Sequence, residues 1–386
     1  MTGSDLAGDW SGLIVVCSGM PWDGPTMSDK QVATRLTDYA PVLFVDPPLS
    51  LLRMLRNRSG GRGLTRLGPR LVKLTPVVNP GVSRPGLRTL ARFLTRRAVG
   101  RAARRLGGDT QAVMVASLDN LFGACHERVR LVYGTDDFAA AGELMGLSTS
   151  WLLAQEQAQL ARANELVAIS EPLAERWREL GYSATVIPNG CDVALYADVA
   201  SVAPAADITL PAPIAGVIGH LSERLDMDYL EAVAATGHSL LLVGPRSHSF
   251  EPARMTALIE RPNVQWVGAK PAADLPSYLT AMRVGLTPYA DSTFNRASFP
   301  LKTLEYLAAG RAAVSTDLPA SRWLDTDLVD IAGTPAEFAR ITVERLTQPD
   351  SESNLAARRR RFAEQHSWER RVQEFLPLLG IVDRPG

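Results

Sequence analysis

Short apolar runs rich in β-branched residues alternate along the chain with longer segments in which apolar residues recur every three to four positions. Such alternation is typical of parallel sheets joined by crossover helices, and here it occurs in two series. The first series predicts strands at 13–17, 42–46, 112–116, 130–133, 166–169 and 185–188, with helices at 26–39, 151–163 and 172–180. The second predicts strands at 214–218, 240–243, 264–267, 284–287, 313–316 and 328–331, with helices at 227–235, 252–260, 272–281 and within 294–310.

Each series is long enough to build one doubly wound α/β domain. Between them, residues 200–213 are rich in alanine and proline and have no clear apolar period, which predicts a linker. The first predicted domain therefore covers residues 1–199 and the second covers residues 214–366.

The composition favours a globular protein with two apolar cores. The chain has 386 residues, 46% of them hydrophobic, and a mean hydropathy of -0.01. The first apolar run, 13–17, is far shorter than the ~20 residues of a membrane-spanning helix, so we expect a cytoplasmic location. Cys17, Cys125 and Cys191 are scattered and lack the spacing of a metal site or a disulfide framework.

Positive charge is concentrated in one segment although the net charge is zero. Residues 47–108 contain no Asp or Glu but carry fifteen Lys and Arg. Part of the segment, 86–107, has the pattern of a basic helix, with an apolar face predicted at Leu87, Leu90, Leu94 and Ala98. Such a helix can bind an anionic membrane or an anionic acceptor, or can be solvated surface. No nucleic-acid module or stacking pattern supports nucleic-acid binding.

The segment 294–317 has the pattern of a loop, a helix, a glycine stop and a strand. Pro300 suits the first turn of a helix, and Gly310 ends the apolar repeat of the residues that follow it. Free N–H groups at a helix start attract phosphate, and Lys302 and Glu305 lie within the next turn and a half. The spacing alone fits both a site for a nucleotide diphosphate with its ribose and an ordinary helix with a surface ion pair.

Glycines follow three strands of the second series, at the edge where doubly wound sheets bind ligands. They are Gly219, Gly244 and Gly268, and Arg224 lies close enough to the first of them to reach a diphosphate. His220 fits a packing role better than a catalytic one. The dinucleotide fingerprint G-x-G-x-x-G is absent from both domain starts, which disfavours a nicotinamide-dependent dehydrogenase.

Several motifs, in order and spacing, resemble those of GT-B retaining glycosyltransferases of family 4, and a strand end at Val45-Asp46-Pro47-Pro48 is nearest in pattern to its teichuronic acid branch. The motifs are Val186-Ile-Pro-Asn-Gly190, Asn263-Val-Gln-Trp-Val-Gly268, Leu275-Pro-Ser-Tyr-Leu279, Val284-Gly-Leu-Thr-Pro-Tyr289 and Phe299-Pro-Leu-Lys-Thr-Leu-Glu-Tyr-Leu-Ala-Ala-Gly310. The resemblance is best over residues 166–317. It implies a GT-B fold, with two Rossmann-like domains facing across a cleft and a closing helix at 367–386 that completes the first domain.

The resemblance implies a nucleotide-sugar donor site in the second domain. Glu305 would hold the donor ribose, the backbone at Leu301 and Lys302 would meet the diphosphate with the help of Arg224, and Gly219 and Gly268 would border the donor. The family's first motif Glu is replaced here by alanine at Ala297. Its contacts to the sugar would be missing or supplied by neighbouring polar residues, namely Ser298, Asn295 or Arg296.

An acceptor site is expected in the first domain, in the loop after the first strand. Gly19 would allow a tight turn there, Trp22 would offer a stacking face and Asp23 a hydrogen-bond acceptor, although Trp22 packed on the core fits the pattern equally well. Asp23, Asp136 and Asp137 are candidates to orient or deprotonate an acceptor hydroxyl. The spacing of the last two is wrong for a metal-binding D-x-D motif, and helix capping is the alternative role.

The sequence therefore predicts a metal-independent, retaining glycosyltransferase without a cofactor. It would move a hexosyl-type sugar from a UDP- or GDP-linked donor to a lipid-linked, glycan or small-molecule acceptor in cell-envelope or polysaccharide assembly. It would act in the cytoplasm, free or peripherally on the inner face of the membrane. Two alternatives remain open: glycosylation of a soluble specialised metabolite, and a non-catalytic protein that binds nucleotide sugar or an anionic surface.

Overall fold

The computed structural model describes residues 8–52, 63–80, 85–139, 148–299, 301–348 and 353–381. The chain packs into two compact units, each built around its own sheet. The first contains the residues up to Pro188 and those from Arg371 onwards, and the second contains residues 189–370. Element labels below run in chain order through the described residues.

The first unit is a mostly parallel sheet of eight strands in the order β10-β9-β8-β7-β1-β2-β5-β4. Its central strands are almost entirely buried, which explains why their sequences are nearly continuous apolar runs. The strands are β1 Leu13–Ser18, β2 Val42–Val45, β4 Gly63–Gly68, β5 Leu71–Thr75, β7 Thr110–Ala116, β8 Val129–Gly134, β9 Glu165–Ala168 and β10 Thr185–Val186, and a separate two-stranded sheet pairs β3 Leu49–Ser50 with β6 Val77–Val78.

The helices of the first unit cover the sheet between these strands. They are α1 Ser28–Leu36, α2 Pro85–Leu106, α3 Thr149–Leu160 and α4 Glu171–Glu179. Helices α3 and α4 begin at serine caps, because the hydroxyls of Ser148 and Ser170 accept a hydrogen bond from the third helical N–H. The predicted strands and helices of this series are all present within a few residues of their predicted bounds.

The buried face of α2 differs from the predicted one. The helix packs through a stripe of mostly small residues, namely Ala91, Thr95, Val99, Ala102, Ala103 and Leu106. On the predicted apolar face, Leu90 is 44% exposed, and Leu87, Leu94 and Ala98 are half-buried. Alanines and a threonine allow the helix to lie close to its neighbours, so the bulkier residues one position away face outwards. The predicted apolar face is therefore only partly covered within the first unit.

The antiparallel pair β4 and β5 was not predicted. Its two strands lie inside the arginine-rich segment, where Arg66, Arg70 and Lys73 interrupt the apolar runs. Lys73 is buried on β5 because its ammonium group meets the carboxylate of Asp23 at 2.5 Å. The sequence pattern suggests that Lys73 is a surface residue, but the structure places it inside a strand, paired with Asp23.

The second unit is a parallel sheet of six strands in the order β13-β12-β11-β14-β15-β16. This is the order of a Rossmann sheet, in which the connections turn to opposite faces on either side of the first strand. The strands are β11 Ile214–Ile218, β12 Ser239–Val243, β13 Val264–Trp266, β14 Met282–Thr287, β15 Ala312–Thr316 and β16 Val329–Ala332.

Helices pack on this sheet around a core that contains Leu230, Leu242 and Phe338. They are α5 Val193–Tyr196, α6 Met227–Ala235, α7 Pro252–Ile259, α8 Leu275–Ala281, α9 Thr293–Ala297, α10 Leu301–Ala308, α11 Pro319–Trp323, α12 Pro335–Thr347, α13 Ser353–Gln365 and α14 Trp368–Leu378, whose last part belongs to the first unit. Two doubly wound units confirm the predicted fold class. Among the described residues, no helix is both long and apolar enough to span a bilayer.

The predicted linker, 200–213, lies inside the second unit. It is anchored there by Asp207, whose carboxylate accepts a hydrogen bond from Tyr278 at 2.8 Å and pairs with Lys270 at 2.6 Å. The backbone N–H of Thr209 also donates to the side chain of Gln265 at 2.9 Å. The compact units instead divide at Pro188 and again after Arg370, where composition gives no signal.

Candidate functional site

The candidate site lies at the carboxyl ends of β11 and β14, the two central strands of the second sheet. The strand order reverses its direction of growth between them, and doubly wound sheets bind ligands outside this point. The loop after β11 carries Gly219 and Arg224, and the segment after β14 carries α9 and then α10. Topology therefore brings two separately predicted segments to one edge.

Three turns that contain glycine follow β11, β12 and β13 at the carboxyl edge of the second sheet. Gly219, Gly244 and Gly268 have φ of 149°, 144° and 73°, values that favour glycine. At Gly244 a Cβ would lie 1.8 Å from the carbonyl oxygen of Gly219, so no other residue fits. The N–H of Gly244 donates to the carbonyl of Gly268 at 2.8 Å, which ties adjacent turns together.

Arg224 is held in position by the segment that follows β14. Its Nε donates to Oδ1 of Asn295 at 3.1 Å, and its guanidinium lies over the rings of Tyr289 and Phe294, 5.4 and 5.0 Å from their centroids. Asn295 is buried, and its Nδ2 donates to the carbonyls of Arg224 and Ala290. The guanidinium is thus oriented before any ligand binds, with stacking worth roughly 0.5–2 kcal/mol per ring.

Lys302 and Glu305 form an ion pair near the start of α10. Lys302 Nζ donates to Glu305 Oε2 at 2.7 Å, and the two side chains are only 24% and 16% exposed. Burial lowers the pKa of Lys302, but the attraction of Glu305 outweighs it, so the pKa of Lys302 is raised. Lys302 is therefore charged at neutral pH, and the pair remains partly open to solvent.

Tyr196 on α5 is a third member of this group and was not predicted from the sequence. Its buried phenol is hydrogen-bonded to Glu305, and burial followed by the charge of Glu305 raises its pKa well above the ordinary value. The phenol therefore stays protonated and donates to the carboxylate. Tyr196 precedes Glu305 by more than one hundred residues, and nothing local in the sequence indicated the contact.

The residues around Ala297, which replaces the motif glutamate, differ in burial and in their partners. Ala297 and Ser298 are buried, and the hydroxyl of Ser298 donates to the carbonyl of Phe294 at 2.9 Å. Arg296 is exposed and pairs with Asp291 at 2.5 Å. Leu301, the first residue of α10, is half-buried, and Pro300 lies outside the described residues. Of the three suggested substitutes, Asn295 and Ser298 have internal partners and only Arg296 faces solvent.

In the first unit the loop after β1 is fixed on the core. The N–H of Trp22 donates to Asp46 at 2.8 Å, its carbonyl accepts from Lys30, and its ring meets Phe44 edge-on at 4.9 Å. Trp22 is thus packed, as in the alternative interpretation of its role. Asp23 keeps 78% of its side chain exposed beside Lys73. Gly19 lies against the carbonyl of Ala116 at the carboxyl edge, where the first sheet reverses its order.

Asp136 and Asp137 have different surroundings. Asp137 is buried and pairs with Arg176 at 3.1 Å, and Arg176 also donates two hydrogen bonds to Glu156, at 2.6 and 2.7 Å. This network joins α3 and α4 to the end of β8, a structural role. Asp136 is half-buried and lines a small cavity with Tyr133.

Asp29, in the first turn of α1, is a buried carboxylate that the sequence analysis did not select. It accepts the N–H of Lys30 at 2.8 Å and is hydrogen-bonded to the Ser18 side chain and the Gly19 backbone. Burial raises its pKa despite these hydrogen bonds. An acidic residue just inside a predicted helix, directly after the loop, was the available signal.

Comparisons with known proteins add a match to a family model and a fold. Residues 212–348 match the model described as glycosyl transferases group 1. The Bacillus subtilis (strain 168) protein TuaH, described as a teichuronic acid biosynthesis glycosyltransferase, is 28% identical over 173 residues. That match covers 44% of this chain and 43% of TuaH, less than half of the relative's length.

Two solved structures are similar over nearly the whole chain. Sucrose-phosphate synthase from Thermosynechococcus elongatus has a TM-score of 0.73 at 17% identity, over 95% of this chain and 98% of its own. The Anabaena protein HepE, solved in complex with UDP and glucose, has a TM-score of 0.66 at 15% identity, over 96% and 99%. The chain therefore has a GT-B fold, and its residues 212–348 match the glycosyl transferases group 1 model.

Proposed function

We propose that the chain is a retaining glycosyltransferase that uses a nucleotide-sugar donor. The observation that carries the proposal is the pairing of Lys302 with Glu305 at 2.7 Å, near the start of a helix at the switch point of the second sheet. A partly open carboxylate can accept two ribose hydroxyls while it retains Lys302 and Tyr196 as donors. The family model over residues 212–348 supports the same assignment.

The leaving diphosphate would be stabilised by positive charge from the protein. Arg224 is already oriented by Asn295 and two rings, and Lys302 carries a charge at neutral pH. Fixed charges of this kind stabilise a developing anion without reorganisation. In the proposed reaction the bond from the sugar to the diphosphate oxygen breaks, the acceptor oxygen bonds to the same carbon from the same face, and the acceptor proton passes to the departing phosphate.

A UDP-linked hexose and an envelope glycan are the donor and acceptor we favour. HepE was solved with UDP and glucose, and TuaH is described as acting in teichuronic acid biosynthesis. In the first unit, Asp23 and Asp136 remain the candidates to orient the acceptor hydroxyl, because Asp137 is committed to Arg176. Among the described residues, no three His, Cys, Asp or Glu side chains could together hold a metal ion.

The direct test is donor binding and turnover by the purified full chain with UDP-, GDP-, ADP- and TDP-sugars. We expect turnover with one of these donors, with release of its nucleotide and a product sugar that retains the anomeric configuration of the donor. Glu305→Gln should weaken donor binding at least tenfold, a loss of about 1.4 kcal/mol. Glu344→Gln is the matched control, because Glu344 forms an exposed pair with Arg340 in the same unit. Tight donor binding without any turnover would favour a binding protein, and no donor binding at all would overturn the site.

We further propose that the chain binds an anionic membrane through an outward ridge of α2. Leu90 and Phe93 are 44% and 56% exposed, and Arg97, Arg101 and Arg104 follow on the same face of the helix. Apolar residues at one end and arginines at the other suit a lipid surface, at roughly 1 kcal/mol per basic residue. Arg92 and Arg96 are not part of the ridge, because they bond to Gln155 and to the carbonyl of Phe122.

Co-sedimentation with vesicles of phosphatidylglycerol tests this surface. Arg97→Gln, Arg101→Gln and Arg104→Gln together should abolish binding, whereas the same loss of charge at the exposed Arg128, Arg178 and Arg340 should not. Equal loss in both triple variants would indicate net charge alone. Negligible sedimentation of the unaltered chain would instead favour a soluble acceptor.

A further inference from the structure

A cluster of arginines lies at the far end of α10 from the candidate donor site. Gly310 ends the helix with φ of 74°, and Arg311 follows it directly. Helix α13 packs along α10 and brings Arg359 and Arg360 to the same point. Arg359 Nη1 donates to the carbonyl of Gly310 at 3.3 Å, and a Cβ at Gly310 would lie 3.1 Å from Arg360 Nη2.

The hydrogen bonding of two of these guanidinium groups is incomplete. The Nε atoms of Arg311 and Arg360 are buried and have no hydrogen-bond acceptor among the residues that the structure describes. The only hydrogen bond from the Arg311 side chain among the described residues is a long one, 3.4 Å from Nη2 to the carbonyl of Thr280. A guanidinium carries five N–H donors, and buried donors are normally satisfied. The cluster therefore has buried donors without an acceptor beside Gly310.

The charge of the cluster is also uncompensated within the described residues. Neighbouring arginines have carboxylate partners: Arg358 pairs with Asp327 at 2.8 Å and Arg345 with Asp330 at 2.7 Å. Arg311 and Arg360 have no such ion pair in this part of the chain. Burial and the charges of Arg360 and Arg359 lower the pKa of Arg311. The negative end of α10 accounts for the contact of Arg359 but supplies only about half a charge.

We propose that Arg311 and Arg360 form a binding site for a phosphate group. Guanidinium groups bind phosphate oxygens through paired N–H bonds, and a dianion would neutralise the like charges that now repel each other. The site is distinct from the candidate donor site, since it lies where β15 begins, at the amino edge of the sheet. It does not depend on the proposed glycosyltransferase activity. The phosphate can belong to a free anion or to a lipid headgroup.

The deciding measurement is titration of the full chain with inorganic phosphate, at constant ionic strength maintained with chloride, followed by calorimetry and thermal unfolding. We expect saturable binding that raises the melting temperature, and binding roughly tenfold weaker in Arg360→Gln and Arg311→Gln. Arg361→Gln is the matched control, because Arg361 is the next residue of α13 and is exposed. In phosphate-free buffer of low salt, Arg360→Gln should melt higher than the unaltered chain because repulsion is removed.

Two further arms identify where the phosphate binds and what carries it. If Lys302→Gln abolishes the response while Arg360→Gln retains it, phosphate binds at the donor site and the proposal is overturned. If inorganic phosphate has no effect but Arg360→Gln, unlike Arg361→Gln, loses binding to phosphatidylglycerol vesicles, the site takes a lipid phosphate. If neither probe distinguishes Arg360→Gln from Arg361→Gln, the arginines only cap α10 and the proposal fails.

Discussion

At the residue scale, the candidate donor site depends on how one carboxylate is shared. Glu305 receives Lys302 at 2.7 Å and the phenol of Tyr196, which comes from a distant part of the sequence. Two donors fix the plane of the carboxylate and leave its remaining lone pairs for a ligand. The sequence pattern of α10 also fitted a surface ion pair. The two contacts explain why the Glu305 carboxylate instead has a fixed orientation.

Tyr196→Phe should weaken nucleotide-sugar binding several-fold while the fold persists. The change removes one hydrogen bond to a charged group, worth about 1.5–3 kcal/mol, and lets Glu305 turn towards Lys302. Calorimetric titration with the preferred donor measures the effect. Tyr278→Phe is the control, because that phenol donates to Asp207 in the same unit. Equal donor affinity in Tyr196→Phe and the unaltered chain would refute the positioning role.

Asp29→Asn should stabilise the first unit near neutral pH. Burial raises the pKa of Asp29 above its unfolded value of about 3.9, although the start of α1 and several hydrogen bonds favour the carboxylate. Between the two pKa values the folded state binds more protons, so stability falls as the pH rises through the folded pKa. Asparagine removes this cost at pH 7, and its advantage should shrink as the pH falls towards the unfolded value.

Thermal unfolding of Asp29→Asn between pH 4 and pH 8 checks that sign. Asp109→Asn serves as the control, since Asp109 is half exposed and pairs with Arg128 on the surface. A lower melting temperature at pH 7 in Asp29→Asn would mean that its hydrogen bonds to the loop after β1 outweigh the cost of burial.

At the element scale, α9 positions the loop beside Arg224 through a single side chain. Asn295 donates to two carbonyls, those of Arg224 and Ala290, and accepts from the Arg224 guanidinium. A short helix capped by Ser292 keeps Asn295 in place. The orientation of Arg224 therefore depends on α9, because α9 holds Asn295 in position.

Asn295→Ala should destabilise the second unit and also weaken donor binding. Two carbonyls and a guanidinium lose their partner, at a cost of roughly 1–3 kcal/mol for each buried group left unsatisfied. The matched control is Asn263→Ala, because Asn263 also donates to two carbonyls, those of Ala234 and His238, away from the site. Chemical unfolding should respond to both changes, and donor affinity only to the first. Loss of affinity in both would indicate a general effect of stability.

The sequence predicted the positions of strands and helices better than it predicted which of their side chains are buried. Strands β11, β12, β14 and β15 appear within two residues of their predicted bounds because buried parallel strands are unbroken apolar runs. The buried face of α2 was not predicted, because packing selected small residues, such as Ala91, over the large Leu90. Strands β4 and β5 were missed because partners for buried charge, such as Asp23 for Lys73, are distant in sequence.

The candidate site was predictable to the same extent. Local signals identified Glu305, Lys302 and the three glycine turns, since helix starts and strand ends have short-range patterns. Tyr196 and the carbonyl partners of Asn295 depend on tertiary contacts that no spacing shows. Local pattern thus indicated the groups that would meet a ligand, and the structure added the groups that orient them.

At the scale of the whole molecule, the chain passes from one unit to the other twice, after Pro188 and after Arg370. The segments next to these two points are hydrogen-bonded to each other. Within the second unit, Cys191 N–H donates to the His366 carbonyl at 2.8 Å, and Trp368 N–H donates to the Cys191 carbonyl at 3.1 Å. Gly190 permits this approach, since a Cβ there would lie 2.7 Å from the Trp368 nitrogen. The two boundaries, at 188 and 370, therefore lie close to a pairing of segments that are far apart in sequence.

This division makes a prediction about the end of α14. Phe375 is fully buried in the first unit, where its ring meets Tyr133 edge-on at 5.0 Å, and Phe338 is fully buried in the second, 5.3 Å from Tyr229. Either change to alanine should cost about 3–5 kcal/mol in the unit that contains it. Hydrogen exchange should then rise in β7 and β8 for Phe375→Ala and in β11 and β14 for Phe338→Ala. If Phe375→Ala opened the second sheet first, the C-terminal helix would belong to the second unit.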